Sequence, residues 1–254
     1  MTNKGISLHI GLNAVDPAKY NNWKGELYAC EADAEVYRTI AVKAGFGQIT
    51  SLLTADATAE QVLEEIRKAS ETLEKGDLFF ISYSGHGGSI PDTNHDDEED
   101  GMDETWCLYD RQLIDDEIYT AFSKFSEGVR ILMFSDSCHS GSISRLAATD
   151  GETPTDDEGK LRSRQMPARQ MIDNYNANKG MYDTLQDNNK TEPDQIGAYV
   201  LQFGACQDFE LAMEQWGNGL FTAKVKKVLN SSITTYEQLH EAVLKNFNPK
   251  QNPN

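Results

Sequence analysis

Two stretches, DLFFISYSGHGG (77–88) and VRILMFSDSCHSG (129–141), carry apolar residues at consecutive positions and then break into glycine and polar residues. A strand that is apolar on both faces has to be covered on both faces, which is the condition of a central strand in a parallel sheet flanked by helices. The rest of the chain supplies that setting. ISLHIGLN (6–13), ITSLL (49–53) and AYVLQFGAC (198–206) read as further strands, with a shorter one near Trp106–Tyr109. Helical spacing runs from Leu27 to Ala44 through Ala34, Tyr37 and Ala41, and Gly45 stops it. Thr58-Ala-Glu-Gln61 is a capping-box pattern opening a helix to about Leu73. IDDEIYTAFSKF (114–125), LFTAKVKKVL (220–229) and TYEQLHEAVLKNF (235–247) complete the helices. Strands alternating with helices predict an α/β domain with a central, mainly parallel sheet and helices on both faces.

A chain of 254 residues suits one such domain. Its 39% hydrophobic content is low, and the polar stretch 146–195 is too long for an ordinary connection. That stretch is expected to be a linker or a functional loop. The net charge of −18 disfavours nucleic acid and anionic lipid as partners and favours cationic ones. No apolar run is long enough to span a bilayer, and the first residues lack the pattern of a secretory leader, so a cytoplasmic location is expected. Cys30, Cys107, Cys138 and Cys206 are widely spaced with no CxxC, which argues against a disulfide framework or a zinc knuckle.

In an open parallel sheet, sites gather beyond the carboxyl ends of the strands. One apolar strand runs out into Gly85-His86-Gly87-Gly88 and the other into Cys138-His139-Ser140-Gly141. If the two are parallel neighbours, His86 and Cys138 leave the sheet at one edge, and the imidazole can take the thiol proton. The N–H groups of Gly87 and Cys138 are candidate donors to an oxyanion. A cysteine at a strand end is otherwise a small buried hydrophobe, and Gly-His-Gly is otherwise a turn. His139 is the weaker candidate for the base, because adjacent residues leaving a strand diverge. HGGS (86–89) also looks like the oxyanion loop of a serine hydrolase, but the chain has no G-x-S-x-G.

YSGHGG followed by DSCHSGS, together with LYACEADA (27–34) and GACQDFELAME (204–214) before GLFTAKV, resembles the metacaspases and their bacterial relatives among the caspase-like cysteine peptidases. The resemblance implies a caspase-like three-layer sandwich with about six strands. It implies one peptidase domain over 1–254, with a large-subunit-like part (1–145), the linker (146–195) and a small-subunit-like part (196–254). Cys138 would be the nucleophile and His86 its partner. Cleavage after Arg or Lys needs an anionic pocket, for which the resemblance points to Asp136 and Asp33, with Ser84, Asp208 and Glu210 as further substrate-binding candidates. Lys160, Arg162, Arg164 and Arg169 are then candidate self-cleavage sites in an accessible linker. Partners would be protein or peptide substrates, and the chain is expected to act as a monomer.

The loop DTNHDDEEDGMDE (92–104) fails as an EF-hand in either register. Many metacaspases bind calcium through four aspartates; Asp103, Asp115 and Asp116 match three, and Arg145 stands where the fourth is expected. No cofactor is therefore expected to be required, and calcium activation is expected to be weak or absent. Two other classes compete with the peptidase: a catalytically silent caspase-like scaffold, which an intact Cys/His pair argues against, and an acidic calcium-responsive binding protein.

Overall fold

The side chains of LFFISYS alternate between two apolar layers. Phe79, Ile81 and Tyr83 join one buried cluster and Phe80 the other, so this strand is covered on both faces. A computed structural model describes residues 4–93, 101–137, 162–191, 193–205, 213–215, 217–229 and 235–245.

The central sheet has the order β2-β1-β3-β7-β9, built from Gly5–Gly11 (β1), Gln48–Leu53 (β2), Leu78–Ser84 (β3), Arg130–Asp136 (β7) and Tyr199–Gly204 (β9). All four pairings are parallel. About six strands were expected; the described residues give five in this sheet. One face is covered by helices α2 (Ala59–Thr72) and α3 (Asp115–Phe122), through Val62, Ile66, Ile118 and Phe122. The other is covered by α1 (Cys30–Lys43), α5 (Leu220–Leu229) and α6 (Tyr236–Leu244), through Tyr37, Phe221, Val225 and Leu239. Each large apolar side chain so buried stabilises the fold by about 1.5–3 kcal/mol. Helix α2 opens as expected, with Thr58 Oγ1 accepting from the Gln61 N–H at 3.3 Å.

Two regions depart from the sequence reading. The glycines after β3 do not lead straight into a loop. Gly87–Pro91 (β4), Met102–Cys107 (β5) and Gln112–Ile114 (β6) form a small antiparallel sheet beside the strand ends. The expected acidic loop at 92–104 therefore begins where β4 ends and has its last residues in β5. The second departure is in the expected linker. Arg162–Ser163 is a short strand (β8), and Ala168–Asn188 is a 21-residue helix (α4) with a non-helical break at Asn178. The helix is polar overall, and it docks through Met171, Tyr175 and Tyr182 together with specific hydrogen bonds. Asn174 Oδ1 accepts from the Gln112 side chain and the Tyr182 hydroxyl, both at 3.1 Å. Gln186 donates to the Pro91 carbonyl at 2.9 Å. Met213–Gln215 (β10) lies between β8 and Asn218–Gly219 (β11) in a third small sheet.

Candidate active site

The register of the two apolar strands fixes the site. Ser84 pairs with Asp136 as the last residues of β3 and β7, so both chains leave the sheet side by side at one edge. Helix α1 begins at the same edge. Its first turn brings Asp33 there, and Gly11, ending β1, lies so close that a methyl group would strike the Cys30 carbonyl.

Asp33, Ser84 and Asp136 do come together, and what they enclose is Arg164. This arginine is among the largest fully buried side chains of the protein. Its Nη2 lies 2.7 Å from Asp33 Oδ2 and 3.3 Å from Glu214 Oε2; its Nη1 lies 3.0 Å from Asp136 Oδ1. Nη1 also donates to Ser84 Oγ at 2.7 Å and to the Asp136 carbonyl at 3.1 Å. A buried guanidinium is tolerable only when paired and hydrogen-bonded in this way. The expectation that the linker arginines are accessible is thus corrected for Arg164. Arg162 fits it better, stacked 4.1 Å over the Tyr28 ring with its guanidinium bonded to the Glu26 carbonyl, and Arg169 sits in the first turn of α4, 3.7 Å from Asp173.

The acids are held by the backbone around them. Asp33 accepts from the Gly219 N–H at 3.0 and 3.1 Å, from the Asn218 side chain at 2.9 Å and from the Ser84 hydroxyl at 2.8 Å. Asp136 Oδ2 accepts from the Thr222 N–H at 3.0 Å and its hydroxyl at 2.7 Å, in the first turn of α5. Glu214 accepts from the N–H groups of Tyr28 and Ala29 at 2.8 and 3.2 Å. A Cβ at Gly219 would collide with Asp136 Oδ2 and the Arg164 guanidinium. Burial raises Asp136 to about 6; Arg164 draws it down and Asp33 pushes it up.

Glu214, Asn218, Gly219 and Thr222 are the pocket residues that sequence reasoning missed. They follow the expected candidates Asp208 and Glu210, and they lie in or beside segments already noted as family-like. An acidic residue just before a glycine-rich helix start was the available signal. Asp208 and Glu210 lie outside the described residues, as do Cys138, His139, Arg145 and Lys160.

His86 is buried beside this pocket, with the Trp23 ring 4.8 Å away. Burial, followed by the nearby Arg164, lowers it to about 3, while backbone groups of Gln165 and Gly25 act in the opposite sense. The imidazole is therefore neutral at ordinary pH, the form that accepts a proton. Gly87 N–H, the expected oxyanion donor, donates to the Arg164 carbonyl at 2.9 Å. Gly87 carbonyl in turn accepts from the Met166 N–H at 2.8 Å. The chain 164–166 thus lies across Gly87 like a bound peptide, with a basic side chain in an anionic pocket and the following peptide bond next to His86.

Asp103 and Asp116 are buried, Asp103 on β5 and Asp115 and Asp116 opening α3. Asp115 Oδ1 accepts from the Asp116 N–H at 3.1 Å. Among the described residues no three acidic, histidine or cysteine side chains come together as a metal site. Among them, too, no helix is long and apolar enough to cross a membrane.

A parallel α/β/α sandwich with a histidine buried at the ends of its central strands is the arrangement of a caspase-like peptidase. Residues 8–147 match the family model described as the metacaspase, peptidase C14 domain. The chain belongs to the metacaspase family. Among curated relatives it is 31% identical over 187 residues to Metacaspase-4 of Arabidopsis thaliana, covering 68% of this chain and 43% of the relative. It is 34% identical over 152 residues to Metacaspase-1A of Neurospora crassa, covering 54% of this chain and 32% of that one. The chain thus spans less than half the length of these relatives. The crystal structure of protein GSU0716 from Geobacter sulfurreducens superposes with a TM-score of 0.87 at 44% identity, over 99% of this chain and 92% of that one. Caspase-1 from Spodoptera frugiperda superposes with a TM-score of 0.60 at 12% identity, over 99% and 85%, and shares the fold.

Proposed function

We propose that the chain is a cysteine endopeptidase that cleaves after arginine, and that its first substrate is its own Arg164–Gln165 bond. The observation that carries the reading is the seating of Arg164: its guanidinium is clasped by Asp33, Asp136 and Glu214 while its carbonyl accepts from Gly87. The planar guanidinium meets several carboxylates at once, which a lysine ammonium does as a point charge only. Of the described basic residues in the expected linker, Arg164 is the one whose carbonyl accepts from Gly87, the residue after His86.

The chemistry follows from the residue types. His86 takes the thiol proton of Cys138, whose sulfur attacks the Arg164 carbonyl carbon. The oxyanion that forms is held by Gly87 N–H, a donor of a kind worth about 3 kcal/mol in the transition state. The tetrahedral species collapses, breaking the C–N bond, and His86 returns the proton to the Gln165 amine. Water then hydrolyses the thioester, leaving Arg164 with a free carboxylate and Cys138 as thiol. Until the 162–166 segment leaves, the pocket is closed to other chains. On this reading the enzyme acts as a monomer on protein or peptide substrates and needs no metal.

Mass spectrometry of the purified chain tests this. The expected products end at Arg164 and begin at Gln165, and a Cys138→Ala chain stays whole. A Cys138→Ala chain cut at the same bond at the same rate overturns the reading. So does a processed enzyme that hydrolyses peptides after aspartate and not after arginine.

A further inference from the structure

Beyond Arg164 the bound segment makes a second, quite different contact. Met166 is fully buried in a small cluster with Val15, Tyr20 and Cys107, edged by Trp23 and by Met171 of α4. Its sulfur lies 3.9 Å from Cys107 Sγ. The walls belong to the fixed body of the protein. Tyr20 hydroxyl donates to the Leu108 carbonyl at 2.7 Å, the Val15 N–H to the Lys24 carbonyl at 3.0 Å, and the Asp16 N–H to the Tyr109 carbonyl at 2.9 Å. Cys107 is on β5, and its N–H donates to the His86 carbonyl at 2.9 Å. The pocket is therefore tied directly to the histidine, and of its lining only Met171 belongs to the segment that fills it.

Its position relative to the scissile bond is set by backbone pairing. Gln165 bridges to Gly87 in the parallel sense, with the two hydrogen bonds of Gly87 running to Arg164 and Met166 on either side. Side chains two apart in an extended segment point the same way. A residue two places after a seated arginine is thereby directed into the Val15–Tyr20–Cys107 pocket. Trp23 touches both the cluster and the His86 ring, so filling the pocket also presses Trp23 against the imidazole.

We infer that Val15, Tyr20, Trp23 and Cys107 form a specificity subsite on the leaving-group side of the scissile bond, which takes a medium-sized apolar side chain without a branch at Cβ at the second residue after the cut. This rests on the reading of the chain as an arginine-directed cysteine peptidase. Substrates cut in trans then carry Arg-X-Met or Arg-X-Leu. A charged residue at that place is excluded, because it would enter a closed apolar space without a partner.

The test uses the self-processed enzyme and internally quenched peptides that share Arg-Gln-Z and differ only at Z, beside an arginine aminomethylcoumarin amide that has no residue at Z. The expected order of kcat/KM is Met and Leu together, Ala about tenfold lower and Asp about a hundredfold lower, as burial of a side chain of this size implies. Self-cleavage of full-length Met166→Leu, Met166→Ala and Met166→Asp chains is expected to follow the same order. A cleaved coumarin amide with a flat peptide series overturns the subsite and leaves the arginine reading standing. A spread among the full-length variants with a flat peptide series also overturns it, because Met166 is then only part of the seating of α4. If neither the coumarin amide nor any peptide is cut, the peptidase reading itself has failed and the subsite falls with it.

Discussion

The pockets around Arg164 and Met166 lie two residues apart on one extended segment and work by opposite physics. The first holds a full charge among three buried carboxylates, and every one of those carboxylates is anchored by backbone or side-chain donors of its own. The second has no charge and fills its volume with apolar and sulfur-bearing groups. A charged pocket of this kind is costly when half assembled, since each unpaired member is left buried. An apolar pocket degrades gradually with the area lost. Changes at the first are therefore expected to act as near all-or-none, and changes at the second as graded.

The hub of the charged pocket is Asp33, and its loss is the sharpest way to break the comparison. Asp33→Ala leaves Arg164, the Gly219 N–H, Asn218 and Ser84 without their shared acceptor. Breaking a buried pair in this way costs about 3–5 kcal/mol. The expected outcome is no cut at Arg164 and a clearly lowered midpoint in thermal unfolding. A chain that still processes itself at the normal rate would show that the arginine is held by something other than this cluster. Gly219→Ala comes next. The added methyl occupies space now taken by Asp136 and the guanidinium, so Arg164 is displaced with all three acids still in place. A misplacement on the order of 1 Å is enough to lose about a hundredfold in rate, which gel densitometry of self-cleavage will measure.

Arg164→Lys keeps the charge and removes the fork. It is expected to slow cleavage at this bond about tenfold, the loss fitting charge-assisted hydrogen bonds that a single ammonium cannot reproduce together. The pH dependence adds a further distinction between the pockets. Asp136 stands at about 6 with Arg164 bound, and Arg164 is one of the groups lowering it. The bound state thus holds fewer protons than the empty one, so arginine binding is strongest above the pKa of the empty pocket, which lies above 6, and is lost as pH falls through about 6. An acid limb near or above 6 is expected in kcat/KM for arginine substrates. A change at the residue after next from the cut, Met to Ala, is expected to lower the whole profile without moving that limb. A limb that shifts between the two peptides would mean that the pockets are coupled through charge.

What could be read in advance follows the same division. His86 and Gly87 were legible because the apolar pattern of the strand before them fixes their place, whereas Asp33 and Asp136 came from the family resemblance. Ser84 came from the same resemblance, and the structure explains its place by pairing it with Asp136 at the ends of the two central strands. Glu214 and Gly219 were not legible, because a tiny three-stranded sheet brings them in, and strands of two or three residues carry no periodic signal. Helix α4 escaped for a related reason. Polar Asn174 and Gln186 share its buried face with Met171, Tyr175 and Tyr182, so the apolar stripe that announces a docked helix is weak. The Met166 pocket gathers a loop, β5 and the start of α4, and no stretch of sequence contains more than part of it.

The smallest effect is expected at the start of α2, on the face of the sheet opposite α1. Thr58→Ala removes the side-chain oxygen that accepts from Gln61 N–H, a cap worth about 1 kcal/mol. In a chain of this length that lowers the unfolding midpoint by roughly 2–4 °C. Helix α2 packs on the far face of the sheet from α1, which carries Asp33, so no residue clasping Arg164 moves. Self-cleavage at Arg164 and the order among peptides are expected to stay as they are. This outcome gives the pocket variants their meaning, because it separates loss of seating from loss of overall stability. If Thr58→Ala slows the cut as much as Arg164→Lys does, processing responds to global unfolding, and the contrast between a charged and an apolar pocket loses its experimental footing.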